Sequence, residues 1–364
     1  MSFREKVNYY IFLSALVINL YSISFILLPL TFLKKIGLNT NKYIHMIFRD
    51  IGYFLGYFIP NFTPTKIKFY FNKDIPKEDF KNGFNDDAKS VIIVNHLNEI
   101  DPFFIGIFLD EFFDSSVRSS SFAKASIRWY PIIGWITMSI GNIFVKNHNK
   151  AQDKSQHVYI EKKIKDEAKL NSSYNFHIFP EGTTFRKDIH DYRNQLDKRE
   201  GGKIPEFKNV MVPRTQGLWL IEKSVPLEKE YYLGIKYILP SNMKETEDGF
   251  LNLVLAKIPS EVHIFIDKKV PIINQLKDKD NRIEFDELVI SRFKELDNVL
   301  ENFPKWNDIY QIFLVNRLFF NKKMLRLLTI SIFVLSLPFI SLKFFTFYII
   351  SLVSFNIFLG LIEL

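Results

Sequence analysis

Hydrophobic positions along this chain fall into two regimes. Towards the ends they run on without a break. No charge stands between Val7 and Lys34, and Lys343 is the one charged residue from Leu327 to Ile362. A bilayer crossing takes about 20 apolar residues. The pattern therefore predicts a spanning helix over about 7–33 and a hairpin of two more over about 327–342 and 344–362, turning near Pro338 and Lys343. The N-terminal run is too long for the core of a secretory signal, and no small-residue cleavage site follows it. Tyr43–Pro60 is also apolar but carries Arg49 and Asp50 at its centre. Charges at mid-bilayer are costly, so this stretch reads as interfacial or re-entrant.

Between the ends, from about Lys66 to Pro304, short apolar runs alternate with amphipathic ones. Strands are expected at Ser90–Val94, Gly141–Val145, Asn175–Phe179, Tyr231–Leu239 and Glu261–Ile266, and helices at Pro102–Phe113 and Gln156–Leu170. Such alternation predicts an α/β domain with a mostly parallel sheet covered by helices. The polar stretch Asp188–Phe207, with Gly201-Gly202, reads as a surface insertion. The resulting division is a membrane-anchoring segment over 1–65, a catalytic-type domain over 66–304 and a membrane hairpin over 305–364.

Composition changes this picture in three ways. Phe occurs 38 times, in keeping with apolar blocks attached to an ordinary globule. Cysteine is absent, which excludes disulfides, zinc–thiolate sites, iron–sulfur centres and a cysteine nucleophile. Charge sums to +8 over 364 residues. Lys34, Lys35, Lys42 and Arg49 after the first run outweigh Arg4 and Lys6 before it, which places the middle of the chain in the cytosol. Lys322, Lys323 and Arg326 point the same way, and the sequons at Asn61 and Asn171 would then go unused. No G-x-S-x-G, G-x-x-x-x-G-K-[ST] or G-x-G-x-x-G occurs, and the seven His are scattered. A serine-hydrolase elbow, the common nucleotide loops and a metal centre are therefore not expected.

Four short motifs remain. Asn95-His96-Leu-Asn-Glu-Ile-Asp101 follows the first strand. A carboxylate that holds an imidazole in one tautomer makes it a better base. In a continuous helix five residues turn by roughly 140°, so the pair needs a loop. His45 with Asp50 and His148 with Asp153 share the spacing, but only His96 follows a buried strand. Asp101 also fits a helix N-cap with Pro102 behind it. The second motif is Phe179-Pro-Glu181-Gly182-Thr183, where Gly lets backbone approach a ligand and Thr adds a hydroxyl; Glu181 can hold a cation or the loop itself. The third is Gly141-Asn-Ile-Phe-Val-Lys146, and the fourth Val212-Pro-Arg214-Thr215, whose Arg suits a phosphate.

In this order and spacing the four blocks resemble the lysophosphatidic-acid-acyltransferase-like family of glycerolipid acyltransferases. The resemblance covers roughly Val91–Leu220. Pro131-Ile-Ile-Gly134-Trp135 and Pro213-Arg-Thr-Gln-Gly217 look most like its lysocardiolipin and lysophosphatidylinositol branch. Two positions depart from the family. Phe103 follows Asp101-Pro102 without the Trp often found nearby, and Thr184 stands where many members have Arg. The resemblance implies acyl transfer from acyl-CoA to a lysophospholipid hydroxyl. His96 would be the general base and Asp101 its orienting partner. Glu181, Gly182 and Thr183 would form the acceptor loop, and Lys146 and Arg214 would meet phosphate. No cofactor beyond the acyl-CoA co-substrate and no metal is implied. The expected partner is the bilayer, not nucleic acid. The expected location is the endoplasmic reticulum with a cytosolic site; the mitochondrial outer membrane and a bacterial inner membrane are alternatives. Glycerol-3-phosphate acylation, or a non-catalytic lipid-binding protein on the same fold, are the competing readings.

Overall fold

Val91-Ile-Ile-Val94, four aliphatic residues in a row, lie near the centre of an eight-stranded sheet in the computed structural model. The structure describes residues 2–73, 75, 89–113, 118–145, 154–169, 173–199, 204–240, 252, 258–315 and 322–340. The strands are β1 (Lys66–Phe71), β2 (Lys89–Val94), β3 (Arg118–Lys124), β4 (Ile143–Val145), β5 (Tyr174–Ile178), β6 (Lys229–Ile238), β7 (Glu261–Lys269) and β8 (Gln311–Leu314), in the order β4-β3-β5-β2-β6-β7-β1-β8. β4, β3, β5, β2 and β6 are parallel. β7 then runs antiparallel to β6, β1 parallel to β7, and β8 antiparallel to β1. The sheet is thus mixed, with a parallel half.

Helices cover both faces, which is why β2 is apolar from Val91 to Val94 instead of alternating. Ile92 and Val94 of β2 face one cluster with α1 (Phe3–Lys35), α2 (Asn41–Phe62) and α3 (Asp101–Phe112). Val91 and Ile93 face the other, with α5 (Lys154–Lys169), α7 (Gln216–Ser224) and α8 (Arg282–Glu301). Apart from short helical turns, the remaining helices among the described residues are α4 (Ile133–Ser139), α6 (Lys187–Arg199) and α9 (Lys322–Ile340).

The expected strands within the parallel half are present, but β1, β3 and β8 were not legible. β3 shows the reason: Arg118-Ser-Ser-Ser121 has no aliphatic residue, yet all four are buried between β4 and β5. Hydrogen bonds such as Ser120 with Tyr174 stand in for apolar contacts. The polar stretch at 188–207 also differs from its reading as an insertion, because most of it is α6. His190 on that helix is bonded through Nε2 to Phe207 O at 2.9 Å. Gly141 lies in a turn with φ of +83°, ahead of β4.

Among the described residues, one helix, Phe3–Lys35, is long and apolar enough to cross a membrane. α9 covers most of the first predicted C-terminal span, while 344–362 lies outside the described residues. Within Tyr43–Pro60, Arg49 and Asp50 are buried in helix packing. The Asp50 carboxylate is met by two nitrogens of Arg326, one at 2.7 Å. Lys323 likewise meets Asp110 of α3 at 2.6 Å. The start of α9 thereby neutralises acids on two neighbouring helices.

Away from these helices, Glu222 and Glu230 lie together beneath α8. Arg292 pairs with Glu230, and Glu222 accepts from the Ile273 N–H at 2.8 Å. Burial first, and then the neighbouring Glu230 charge, hold the Glu222 pKa far above the ordinary carboxylate range. An acid whose folded pKa is raised contributes a penalty that is absent below its unfolded pKa and grows as pH rises above it. Glu222→Gln reproduces the protonated form without that penalty. We expect the variant to match the wild type in melting temperature near pH 4 and to exceed it by a few degrees at pH 8 to 9. Melting curves across that range check this; a gap that does not widen with pH would refute the burial argument.

Candidate active site

Parallel neighbours deliver the first two motifs to one place. β2 and β5 pair with Ile93 opposite Ile178, so both strands end at the same edge of the sheet. β2 continues into Asn95-His96 and β5 into Phe179-Pro-Glu181-Gly182. Asn95 anchors the first loop across the sheet: its Oδ1 accepts from Ile235 N–H at 2.7 Å and its Nδ2 donates to Ile235 O at 3.1 Å.

His96 and Asp101 meet as the loop reading requires. His96 Nδ1 lies 2.8 Å from Asp101 Oδ2. The same oxygen accepts the backbone N–H groups of Leu97 at 2.7 Å and Asn98 at 2.9 Å. Asp101 thus faces back onto its own loop and makes no side-chain cap on α3. Its other oxygen, Oδ1, accepts from the Tyr237 hydroxyl of β6. Asp101 is wholly buried, whereas the His96 side chain keeps 18% of its surface exposed. Four donors thus hold a buried carboxylate beneath a ring that reaches the surface. The Phe179 ring stacks on His96 at 4.2 Å.

Glu181 holds the loop. It is buried, and its Oε1 accepts the His96 N–H at 3.1 Å, while Phe185 N–H donates to His96 O at 2.6 Å. Both backbone groups of His96 are therefore fixed by the segment after β5. Burial raises the Glu181 pKa well above its usual value, against the pull of the His96 and Met211 N–H groups. Gly182 sits at φ +71°, where a side chain is strained. A Cβ there would also meet the Arg214 side chain at 3.1 Å. Arg214 lies against this turn because its N–H donates to Pro180 O at 2.7 Å. Thr183 is partly exposed on the same loop.

Arg193 of α6 donates from Nη1 to Glu181 O at 3.1 Å and reaches Val212 O at 3.4 Å, tying the second motif to the fourth. Its pKa is lowered by burial and by the nearby Arg214, so two guanidinium groups share this edge. A small apolar cleft opens beside the His96 loop, lined by Leu97, Ile100, Phe185, Tyr237 and Leu239 among others.

The structure brings His96, Asp101, Glu181, Gly182, Thr183 and Arg214 to one edge. Lys146, His148 and Asp153 lie outside the described residues. His45 and Asp50 sit in the continuous helix α2, both buried, where five residues turn them apart. Sequence reasoning missed Tyr237 and Arg193. Tyr237 is 136 residues from Asp101, with no local pattern to link them; Arg193 was hidden in a stretch read as insertion.

A family model described as acyltransferase matches residues 66–227. The chain is 25% identical over 192 residues to lysocardiolipin acyltransferase 1 of Gallus gallus, covering 51% of this chain and 47% of that protein. It is 29% identical over 136 residues to 1-acyl-sn-glycerol-3-phosphate acyltransferase delta of Homo sapiens, covering 37% and 34%. An uncharacterized acyltransferase of Schizosaccharomyces pombe is 23% identical over 325 residues, covering 84% and 89%. The match to the first two spans less than half of their length. Residues 66–227, with their loop-held histidine and carboxylate, form an acyltransferase domain, and this domain is similar to those of the lysophosphatidic-acid-acyltransferase-like glycerolipid acyltransferases.

Proposed function

We propose that this protein moves a fatty acyl group from acyl-CoA to a free hydroxyl of a lysophospholipid, at a membrane. The observation that carries this is the His96–Asp101 contact of 2.8 Å at the end of a buried strand, beside the Glu181-Gly182-Thr183 turn. With Nδ1–H held by Asp101, the basic lone pair is on Nε2, the ring nitrogen left for substrate. His96 takes the acceptor hydroxyl proton there. The oxygen attacks the thioester carbonyl, the new C–O ester bond forms, and the C–S bond breaks. The CoA thiolate leaves and recovers the proton from His96. No acyl-enzyme is needed, in keeping with a chain that has no Cys. Asp101 keeps the ring in one tautomer and stabilises it while it is charged.

In this reading the Gly182 turn and Thr183 receive the acceptor head group, Glu181 shapes the turn from below, and Arg214 meets the phosphate; Lys146 is a second cation for it. The endoplasmic reticulum with a cytosolic site is the proposed setting, with α1 and the C-terminal apolar segments at the membrane.

A panel of lysolipids with radiolabelled acyl-CoA and purified full chain tests the reading. Labelled diacyl product from a lysophospholipid supports it; label appearing only on glycerol 3-phosphate, or nowhere, overturns it. Arg214→Ala should raise the KM for the lysophospholipid at least tenfold, if about 1.4 kcal/mol of binding is lost. The KM for acyl-CoA should move much less. Arg214→Lys should already weaken binding, since a point charge replaces a planar fork. Steady-state kinetics with each substrate varied in turn check this. A rise in the acyl-CoA KM alone would move Arg214 to the CoA phosphates.

A further inference from the structure

We infer that the turn Ile127–Gly134 is a membrane-contacting shelf, which seats Trp129 and Tyr130 in the lipid headgroup layer beside the candidate active site. The turn carries two large aromatic rings outward: Trp129 is 46% exposed and Tyr130 56%. Rings of this size are usually covered, and Trp and Tyr with one wet and one apolar side suit a bilayer interface.

The backbone is held in an expensive conformation to present them. Ile132, a β-branched residue, has φ of +68° and ψ of −65°. Ile133 N–H donates across it to Pro131 O at 2.7 Å, a strained three-residue turn. Gly134 N–H closes a second ring onto Tyr130 O at 2.8 Å. Only glycine fits there, because a Cβ would lie 2.4 Å from Arg128 O and 2.5 Å from Ile127 O. Strain of this kind persists where the surrounding structure enforces it, and it gathers at functional places. The acyl-transfer chemistry leaves this turn without a role.

Its place in the fold names the partner. β3 is parallel to β5, and β5 to β2, so β3 leads into this turn at the edge of the sheet that carries His96. α1 has 33 residues and its hairpin partner α2 has 22, joined by the short turn after Lys35. At 1.5 Å per residue α1 outruns α2 by roughly 16 Å. α2 ends where β1 begins, and β1 runs antiparallel to the parallel half, so the overhang projects past that same edge. Phe3, Val7, Tyr10 and Ile11 are exposed on the overhang. α4, which follows the turn, packs back on α1 through Trp135 against the cluster of Phe25 and Leu28. Exposed Lys124 supplies a cation for anionic head groups at the base of the turn. Exposed apolar and aromatic side chains of two elements therefore lie at the edge that carries the site, and a lipid bilayer is the occupant that fits them. The inference rests on the proposed function only in taking the acceptor to be a bilayer lipid.

The test uses the full chain in phosphatidylcholine vesicles whose acyl chains are brominated, which quench nearby tryptophan fluorescence. The protein has four Trp residues, so the Trp129 share is read as the difference between wild type and Trp129→Phe. We expect Trp129→Phe to remove more than half of the quenching. Equal quenching in both proteins overturns the inference. In a second arm, Trp129→Asp with Tyr130→Asp should lower turnover of vesicle-embedded lysophospholipid at least tenfold, and turnover of detergent-dispersed lysophospholipid by less than twofold. An equal loss in both would make the turn structural and overturn the inference. A wild type inactive on every lysolipid would refute the proposed function, while the quenching arm would still decide the shelf.

Discussion

His96→Ala should lower acyl transfer by about 10²–10⁴-fold, the range that a general base contributes. In the proposed mechanism the side chain is the reactive end of an assembly whose other parts hold the loop. Its Nδ1 faces Asp101 and its ring lies on Phe179, so the fold does not depend on it as it does on a core residue. The melting temperature should therefore stay close to wild type, and KM for both substrates should change little. Radiolabelled transfer assays beside melting curves check both points. Residual activity above about a tenth of wild type would remove His96 from the chemistry. His45 is the internal control. It has the same spacing to a following Asp but is buried in α2. His45→Ala should keep substantial activity in protein that melts normally.

Asp101→Asn should cost at least about 100-fold in kcat with KM nearly unchanged. The substitution keeps size and removes charge where donors converge on a buried group. Its carbonyl can still accept from Leu97, Asn98 and His96, and its amide nitrogen would then face the Tyr237 hydroxyl. What is lost is the negative charge beside the imidazole when it holds the substrate's proton. If Asp101 works through His96, the double variant His96→Ala/Asp101→Asn should be no slower than His96→Ala alone. Losses that multiply would show that Asp101 acts by some other route. Tyr237→Phe is the graded companion: it strips one donor from Oδ1 and should lower kcat less than Asp101→Asn does. Kinetics of the four proteins settle the order.

Much of the parallel half was legible for one physical reason. A strand buried on both faces favours apolar residues, and β2, β5 and β6 carry enough of them to stand out. The His96–Asp101 pairing was legible because one short loop separates the two residues, and the need for that loop follows from helix geometry. Glu181-Gly182 was visible as a turn at a strand end, where the positive φ of Gly182 accounts for the glycine.

Other features depend on which segments meet, and no local pattern records that. β3 is held by hydrogen bonds of serines to neighbouring strands, so its residues look like loop. Arg49 and Asp50 look misplaced in an apolar run, until Arg326 arrives from 276 residues away to meet Asp50. Tyr237 reaches Asp101, Arg193 joins two motifs, and Phe185 locks His96, each across a gap in sequence that only packing closes. The sequence by itself determined the loop that pairs His96 with Asp101, the apolar strands and the uninterrupted apolar ends, because each is set by neighbouring residues. The tertiary structure alone decided what holds the histidine still and which edge of the sheet the aromatic turn shares with it, because those are set by contacts between segments far apart in the chain.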